Sequence, residues 1–495
     1  MKHGPTFLLT ALLLAPLAAS YADAAPTLTA ESPNRELSPA VAARLRYGKL
    51  QPAKGAPIAL PERDPKTAWF ETAKLGIFLH WGIWAVDGTV ESHPFNQPPS
   101  SIRENPDAMT REQYFSQLSR FRAENYNPEA WAEVFQKAGA RYAILTTKHH
   151  DGVALWDTRA PGGVDVVDGG GGAARDLVKP WVTAMRKADI RVGFYYSLAD
   201  WGNPDYPVML PPPGAKSSHR NKPYSYSATK DDPERWAQFI AYRDAQIEEL
   251  LPYKPDVWWM DGGWERTREQ WNFDAMVARL LEANPDVIFG RMGYAIENAP
   301  KYTTPERAIP LRTPTGLWEL CQTFNEHWSY RSSDTQTKDP ALLVKIFSEV
   351  IARSGNLLLN IGPKPDGTLP EDQVAGLLDL GAWINRNKEA IYPTFGGERL
   401  GFSFLRFFGP TTVAPDGKTL YLFVDGRPNG CLVLRGIVSK IRKAEVLATG
   451  EELDFRRLCG NSELPGDYII HAPKAADPLM TVVKLSFDEV IELGK

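Results

Sequence analysis

The sequence predicts an α/β protein: an irregular (β/α)8-like TIM barrel followed by a C-terminal antiparallel β-sandwich. Three observations carry this. Between Ala68 and Tyr392, short apolar runs alternate with amphipathic helical stretches. The apolar runs are continuous rather than alternating, as parallel strands buried on both faces require. From about Phe395 the pattern changes to short period-two runs such as "TLYLFVDG" and "TVVKLSF", separated by Gly, Pro, Asn and Asp, which marks a small sandwich.

Taken in order, Lys2 and His3 precede the apolar run "FLLTALLLAPLAA" and the A-x-A site Ala22-Asp23-Ala24, so residues 1–24 are expected to be a secretory signal peptide and the mature chain to be exported. Residues 25–65 are polar and proline-containing, an expected lead segment before a barrel over 66–394 and a sandwich over 395–495. The barrel strands read "LGIFLHWG", "YAILTTKHHDG", "RVGFYYSLADW", "DVWWMDGGW", "VIFGRMG", "LWELCQTF" and "NLLLNIGP". That is seven, so an eighth is missing or irregular. Helical patterns lie between them, among them "NPEAWAEVFQKAGA", where Asn127 reads as an N-cap with Pro128 at the first helical position. The stretch "GNPDYPVMLPPPGAKSSHRNKPYSYSATKDDPE" is long for a loop, and loops of that length are commonly functional or disordered.

Composition narrows the function classes. A net charge of −4 provides no basic footprint for nucleic acid or an anionic membrane surface. After the first apolar run, no stretch approaches the ~20 residues that span a bilayer. The 3 cysteines, Cys321, Cys431 and Cys459, make no disulfide framework and have no metal-ligand spacing; at most Cys431 and Cys459 could pair. No oligomeric state is implied.

In a (β/α) barrel the site lies at the C-terminal ends of the strands. Those ends hold His80 and Trp81, His149, His150 and Asp151, Tyr195 and Tyr196, Trp259 and Asp261, Arg291, and Glu319. The chain has only 8 histidines, and two of them stand side by side in "KHHDG". Adjacent strand residues face opposite sides, so both can reach one ligand only where the strand is ending. A rim this rich in hydrogen-bonding groups and rings suits a small polyhydroxylated ligand. Several of the 15 tryptophans sit beside these polar ends.

Together, "WFETAKLGIFLHWG", "AGARYAILTTKHHDG", "VGFYYSLADW", "DVWWMDGGW", "YTTPER", "WELC" and "SGNLLLNIGPKPDG" resemble the α-L-fucosidases of glycoside hydrolase family 29, in order from about Trp69 to Tyr392. The resemblance implies a retaining exo-fucosidase that needs no cofactor or metal and takes a fucosylated oligosaccharide or glycoconjugate. It implies that Asp261 is the nucleophile. It leaves two candidates for the acid/base, Glu306 in "YTTPER" and Glu319 in "WELC". Of these Glu306 is favoured, because a loop glutamate can move to serve as acid and then base. His80, His149, His150, Tyr196 and Arg291 match positions that bind the sugar hydroxyls or steady the nucleophile. Trp259, two residues before Asp261, could pack on the C6 methyl. Glu91 is a further candidate ligand, although "GTVESHPFNQPPSSIREN" lacks the aromatic pair that family members often carry there. Val153 likewise stands where a bulkier aromatic is commoner.

Two alternatives stand beside this reading. A metal-dependent barrel hydrolase or isomerase also gathers His and Asp at strand ends, although its ligands usually come as His-x-His rather than as neighbours. A non-catalytic carbohydrate-binding protein could retain the barrel alone. The sandwich shows no obvious exposed aromatic cluster in the sequence, so packing support is its expected role.

Overall fold

The computed structural model describes residues 54–92, 109–168, 172–206, 232–426, 428, 430–458, 460 and 465–494. The expected signal peptide, most of the lead segment, the core of the proline-rich loop and Cys459 lie outside the described residues, as does the stretch after Ser92.

Eight parallel strands form the barrel: β1 (Leu75–Leu79), β2 (Tyr142–Lys148), β3 (Arg191–Ser197), β4 (Val257–Asp261), β5 (Ile288–Gly290), β6 (Lys301–Tyr302), β7 (Glu319–Thr323) and β8 (Asn356–Ile361). Each pairs with its neighbour in sequence except β6 and β7, and β8 returns to β1. Two-residue alternation divides their side chains between two apolar clusters. Phe78, Tyr142, Ile144, Tyr195, Val257, Trp259, Tyr302, Cys321 and Leu358 fill the barrel interior, closed below by Phe70 from helix α1 (Ala68–Ala73). Ile77, Leu79, Ala143, Leu145, Val192, Phe194, Tyr196, Trp258 and Met260 face the helical layer instead. Both faces of every strand but the two-residue β6 are therefore buried, which is why the sequence shows unbroken apolar runs.

The eighth strand of the sequence reading is "YTTPER" itself. After β6 the chain continues beside β7 through irregular bridges, Thr303 with Trp318 and Glu306 with Cys321. Cys321 donates its N–H to the Pro305 carbonyl at 3.1 Å and Arg307 donates to the Cys321 carbonyl at 2.9 Å. Pro305 has no N–H for a ladder, so the strand cannot be regular. Glu306 is thus an edge of the barrel wall rather than a free loop residue. Glu319 also differs from its expected place: it begins β7 rather than ending it, so it lies low in the barrel.

The helices that cover the barrel are α2 (Pro128–Lys137), α3 (Val178–Lys187), α4 (Pro233–Leu250), α5 (Phe273–Ala283), α6 (Pro340–Ala352) and α7 (Glu371–Asn387). Asn127 caps α2, its side chain accepting from the Ala130 N–H, with Pro128 at the first position. No described helix is long and apolar enough to cross a membrane.

The C-terminal part has a five-stranded and a three-stranded antiparallel sheet. In Thr419–Val424, Leu420, Leu422 and Val424 enter the sandwich core, while Tyr421 and Phe423 join the barrel's outer cluster. Trp383 of α7 packs on Phe423 and donates its indole N–H to the Met480 carbonyl. Gly55–Pro57, from the end of the expected lead segment, pairs with Glu492–Gly494. One expectation is corrected: the sandwich does expose aromatic surface. Phe404 and Phe408 are 65% and 78% exposed, with ring centroids 4.5 Å apart, in the turn segment "FSFLRFFG", whose Phe402 and Phe407 are buried instead.

Candidate active site

Asp261 ends β4, where its carboxylate is held on all sides. Tyr195 donates its hydroxyl to Oδ2 at 3.0 Å, and the Gly262 N–H donates to Oδ1 at 3.0 Å. Arg291 brings Nε to 3.4 Å of Oδ1, and His150 brings Nε2 to 3.8 Å of Oδ2. Gly262 adopts φ +76, and a Cβ there would stand 2.6 Å from Ala199, so the turn that presents the carboxylate needs glycine. Burial pushes the Asp261 pKa up, but Arg291, His150 and the two hydrogen bonds outweigh it and hold the group below the usual range for aspartate. The carboxylate is buried and ionised, the state a nucleophile requires.

Arg291 follows the last residue of β5 in a left-handed conformation, φ +55, an uncommon choice for arginine. The turn lets one guanidinium serve two carboxylates, because Nη2 also donates to Glu306 Oε2 at 2.8 Å. Asp261 and Glu306 therefore flank the same cation, and the Glu306 side chain is 38% exposed. Glu319 is elsewhere. It is fully buried below Trp259, accepting the Tyr142 hydroxyl at 2.5 Å and the Trp259 indole N–H at 3.2 Å. Glu319 is thus sealed in the barrel floor and holds the Trp259 indole, whereas Glu306 is the more accessible carboxylate.

That burial has a consequence for stability. Desolvation raises the Glu319 pKa from 4.5 to about 7, more than its hydrogen bonds from Tyr142 and Trp259 lower it. The unfolded chain loses this proton at the ordinary value and the folded chain only near neutrality. The contribution to stability is full below about pH 4.5 and is lost as pH rises through 7. In Glu319→Gln the amide oxygen can still accept from the Trp259 N–H and the amide NH2 can donate to the Tyr142 hydroxyl, without the charge. Chemical denaturation at pH 5 and pH 8 should show the variant gaining on wild type by on the order of 1–3 kcal/mol at the higher pH. Asp151, raised to about 7 by burial, adds a slope of the same sign that this variant retains.

The three histidines surround the same space. His80 Nδ1 contacts Asn360 Oδ1 at 2.6 Å, His149 Nδ1 contacts Ser92 Oγ at 2.8 Å, and His150 Nδ1 contacts Ser197 Oγ at 2.5 Å. The His80 and His149 ring centroids are 5.8 Å apart, and those of His149 and His150 4.3 Å. Burial, more than the opposing pull of Glu91 and Asn360, lowers the His80 pKa, so that ring is neutral near pH 7. Trp259 forms the floor, stacked on Tyr195 at 5.3 Å, with the Arg291 guanidinium 5.3 Å above its ring. Glu91 is buried and accepts the Ser329 N–H at 2.5 Å, close enough for its charge to act on His80.

Tyr196 is a correction. Its hydroxyl donates to Gln246 Oε1 of α4 at 2.9 Å, on the outer face of β3, away from Asp261. Strand alternation puts its neighbour Tyr195 inside instead, stacked on His149 at 5.2 Å and bonded to Asp261. Tyr195→Phe should lower turnover roughly ten- to a hundredfold, the worth of a hydrogen bond to a charged group. Tyr196→Phe should leave turnover within a few-fold and cost only stability. Steady-state kinetics on the two variants checks the assignment.

Ser197 and Asn360 are not among the residues the sequence singles out, and Tyr195 is named at its strand end without a role. The signal was available in "VGFYYSL": Val192, Phe194, Tyr196 and Leu198 form the apolar outer set, which leaves Gly193, Tyr195 and Ser197 facing inward. Among the described residues, the one group of three acidic or metal-ligating side chains close enough to share an ion is Asp157, Asp165 and Asp168, where Arg159 pairs with Asp157 and Asp168.

The α-L-fucosidase family model matches residues 55–389, spanning every strand of the barrel and all of the groups above. The chain belongs to the α-L-fucosidase family. It is therefore a glycoside hydrolase. It is 32% identical to human tissue α-L-fucosidase over 362 residues, 70% of this chain and 73% of that protein. An α-L-fucosidase of Branchiostoma floridae is 31% identical over 356 residues, 67% of this chain and 74% of its own. Among solved structures, α-L-fucosidase isoenzyme 1 from Paenibacillus thiaminolyticus superposes with a TM-score of 0.73 at 28% identity, covering 86% of this chain and 99% of that one. The Thermotoga maritima α-fucosidase in complex with a mechanism-based inhibitor gives 0.66 at 29% identity, covering 85% and 96%. Family membership gives the metal-dependent alternative no support.

Proposed function

We propose that this fucosidase-family chain is an exo-acting, retaining α-L-fucosidase that removes terminal fucose from glycans through a covalent intermediate on Asp261. The observation that carries the reading is the pair of carboxylates on one guanidinium, Asp261 buried and fixed, Glu306 accessible and movable. In the first step an Asp261 oxygen bonds to the anomeric carbon while the glycosidic bond breaks, and Glu306 gives its proton to the departing oxygen. In the second step Glu306 takes a proton from water, the water oxygen bonds to the anomeric carbon, and Asp261 leaves. Both steps pass through transition states with positive charge at the anomeric carbon, which the ionised Asp261 favours. His80, His149 and His150 hydrogen-bond the ring hydroxyls, the Trp259 floor packs on the C6 methyl, and Arg291 keeps Asp261 ionised. Glu91 acts on this set by orienting the groups around His80. The mechanism-based inhibitor bound by the Thermotoga maritima relative supports a covalent route.

The start of the chain supports export, through the charged, apolar and A-x-A pattern of residues 1–24. Proton NMR of aryl α-L-fucoside hydrolysis tests the reading: α-L-fucose should form first, and release of the β anomer first would overturn it. Absence of any hydrolysis would favour the non-catalytic alternative.

A further inference from the structure

We infer that Ser197 fixes the tautomer of His150, and through it the direction of the hydrogen bond that His150 presents to the ligand. The inference deepens the proposed function and rests on it for its kinetic consequence, although the tautomer itself does not.

The argument is one of counting hydrogens. The Ser197 hydroxyl lies 2.5 Å from the Ala199 carbonyl oxygen, which can only accept, so the single hydroxyl proton is spent there. His150 Nδ1 lies 2.5 Å from the same hydroxyl oxygen, and with that proton committed, Nδ1 must be the donor. The Nδ1–H tautomer makes Nε2, 3.8 Å from Asp261 Oδ2, the unprotonated, accepting nitrogen of the neutral ring. A neutral His150 then accepts from a ligand hydroxyl, and a protonated one donates to Asp261. The state excluded is a neutral ring donating from Nε2 to Asp261, which would occupy a lone pair of the nucleophile and take the place of the ligand hydroxyl.

The surrounding backbone is built to keep this geometry. Ser197 lies opposite Asp261 in the ladder between β3 and β4. Leu198 donates its N–H to the Asp261 carbonyl at 2.8 Å, and Trp201 donates its own to the His150 carbonyl at 2.6 Å while its ring packs on the imidazole at 4.3 Å. The segment Ser197–Trp201 thus joins the main chains of the histidine and the nucleophile. His80 follows the same logic independently. Asn360 Nδ2 donates to the Trp328 carbonyl at 2.7 Å, so Oδ1 is the atom that faces His80 Nδ1, and His80 also presents Nε2 as an acceptor. Two ligand hydroxyls are therefore received by acceptors set from behind.

Ser197 is a positioning residue, and its test is spectroscopic first. With only 8 histidines, nitrogen-15 labelling of the imidazoles gives a tractable spectrum, and His150→Gln identifies the His150 signals by their loss. Wild-type His150 in its neutral form should show protonated Nδ1. Ser197→Ala should shift it toward protonated Nε2, and Ser197→Cys, which retains a weak acceptor of similar size, should fall between. An unchanged tautomer in the alanine variant, or in the cysteine variant if alanine does not fold, overturns the inference. This readout requires no catalysis, so it stands or falls separately from the fucosidase reading. The kinetic arm is a cycle: Ser197→Ala should lower kcat/KM roughly tenfold, the worth of one hydrogen bond, in wild type and leave it unchanged in the His150→Gln background. Additive losses would mean that Ser197 acts by another route.

Discussion

Asp261→Ala is expected to lose roughly three orders of magnitude or more in turnover, because the substitution removes the covalent route rather than weakening it. Four groups converge on this carboxylate, and none of the other acidic residues near the pocket shares that set: Tyr195, Arg291, His150 and the Gly262 N–H have no second use that needs them all at one point. Removing the side chain also leaves a space the size of a small anion beside Arg291. Azide should enter it and restore part of the turnover, giving a glycosyl azide of inverted configuration. Binding should suffer far less than turnover, since the histidines and Trp259 remain. A variant with near wild-type rates would place the nucleophile elsewhere.

Glu306→Gln is expected to have the second largest effect, and its signature depends on the leaving group. Nitrophenolate departs with little protonation, whereas a sugar alkoxide needs the proton, so natural fucosides should slow strongly and nitrophenyl fucoside much less. Azide should accelerate the second step with retained configuration, and the limb of the pH profile that reports the acid should flatten. Glu319→Gln should show none of this, because its carboxyl lies under Trp259 with Tyr142 and cannot contact the departing oxygen. Run side by side on both substrates, the two variants separate the roles. The leaving-group signature in Glu319→Gln alone would reverse the assignment.

Much of this was legible in the sequence, for reasons that can be named. Parallel strands buried on both faces leave continuous apolar runs, so seven of the eight barrel strands could be read directly, and Asp261 could be placed because β4 ends on it. The eighth strand escaped because Pro305 breaks its ladder and "YTTPER" carries no apolar run. The same irregularity made Glu306 look like a loop residue when it is part of the barrel closure. Glu319 was misplaced along its strand because "LWELCQTF" is apolar on both sides of the glutamate, and the ladder begins two residues later than the run does. Choosing Tyr196 over Tyr195 was an error of parity, since two adjacent tyrosines of equal chemistry differ only in which face of β3 they occupy. The hydrogen bonds that orient the histidines were beyond sequence reasoning, because Ser92, Ser197 and Asn360 come from three distant segments that only the closed barrel brings together.

The central claim is that Asp261 forms a covalent bond to the sugar, and trapping that bond tests it most directly. A 2-fluoro fucosyl fluoride slows both steps but retains a good leaving group, so the glycosyl-enzyme ester accumulates when the nucleophile is present. Peptide mapping by mass spectrometry after inactivation should find one fluorofucosyl unit on the "DVWWMDGGW" peptide, at Asp261, and no label at all in Asp261→Ala. A label on Glu306, or time-dependent inactivation that persists in Asp261→Ala, would contradict the account.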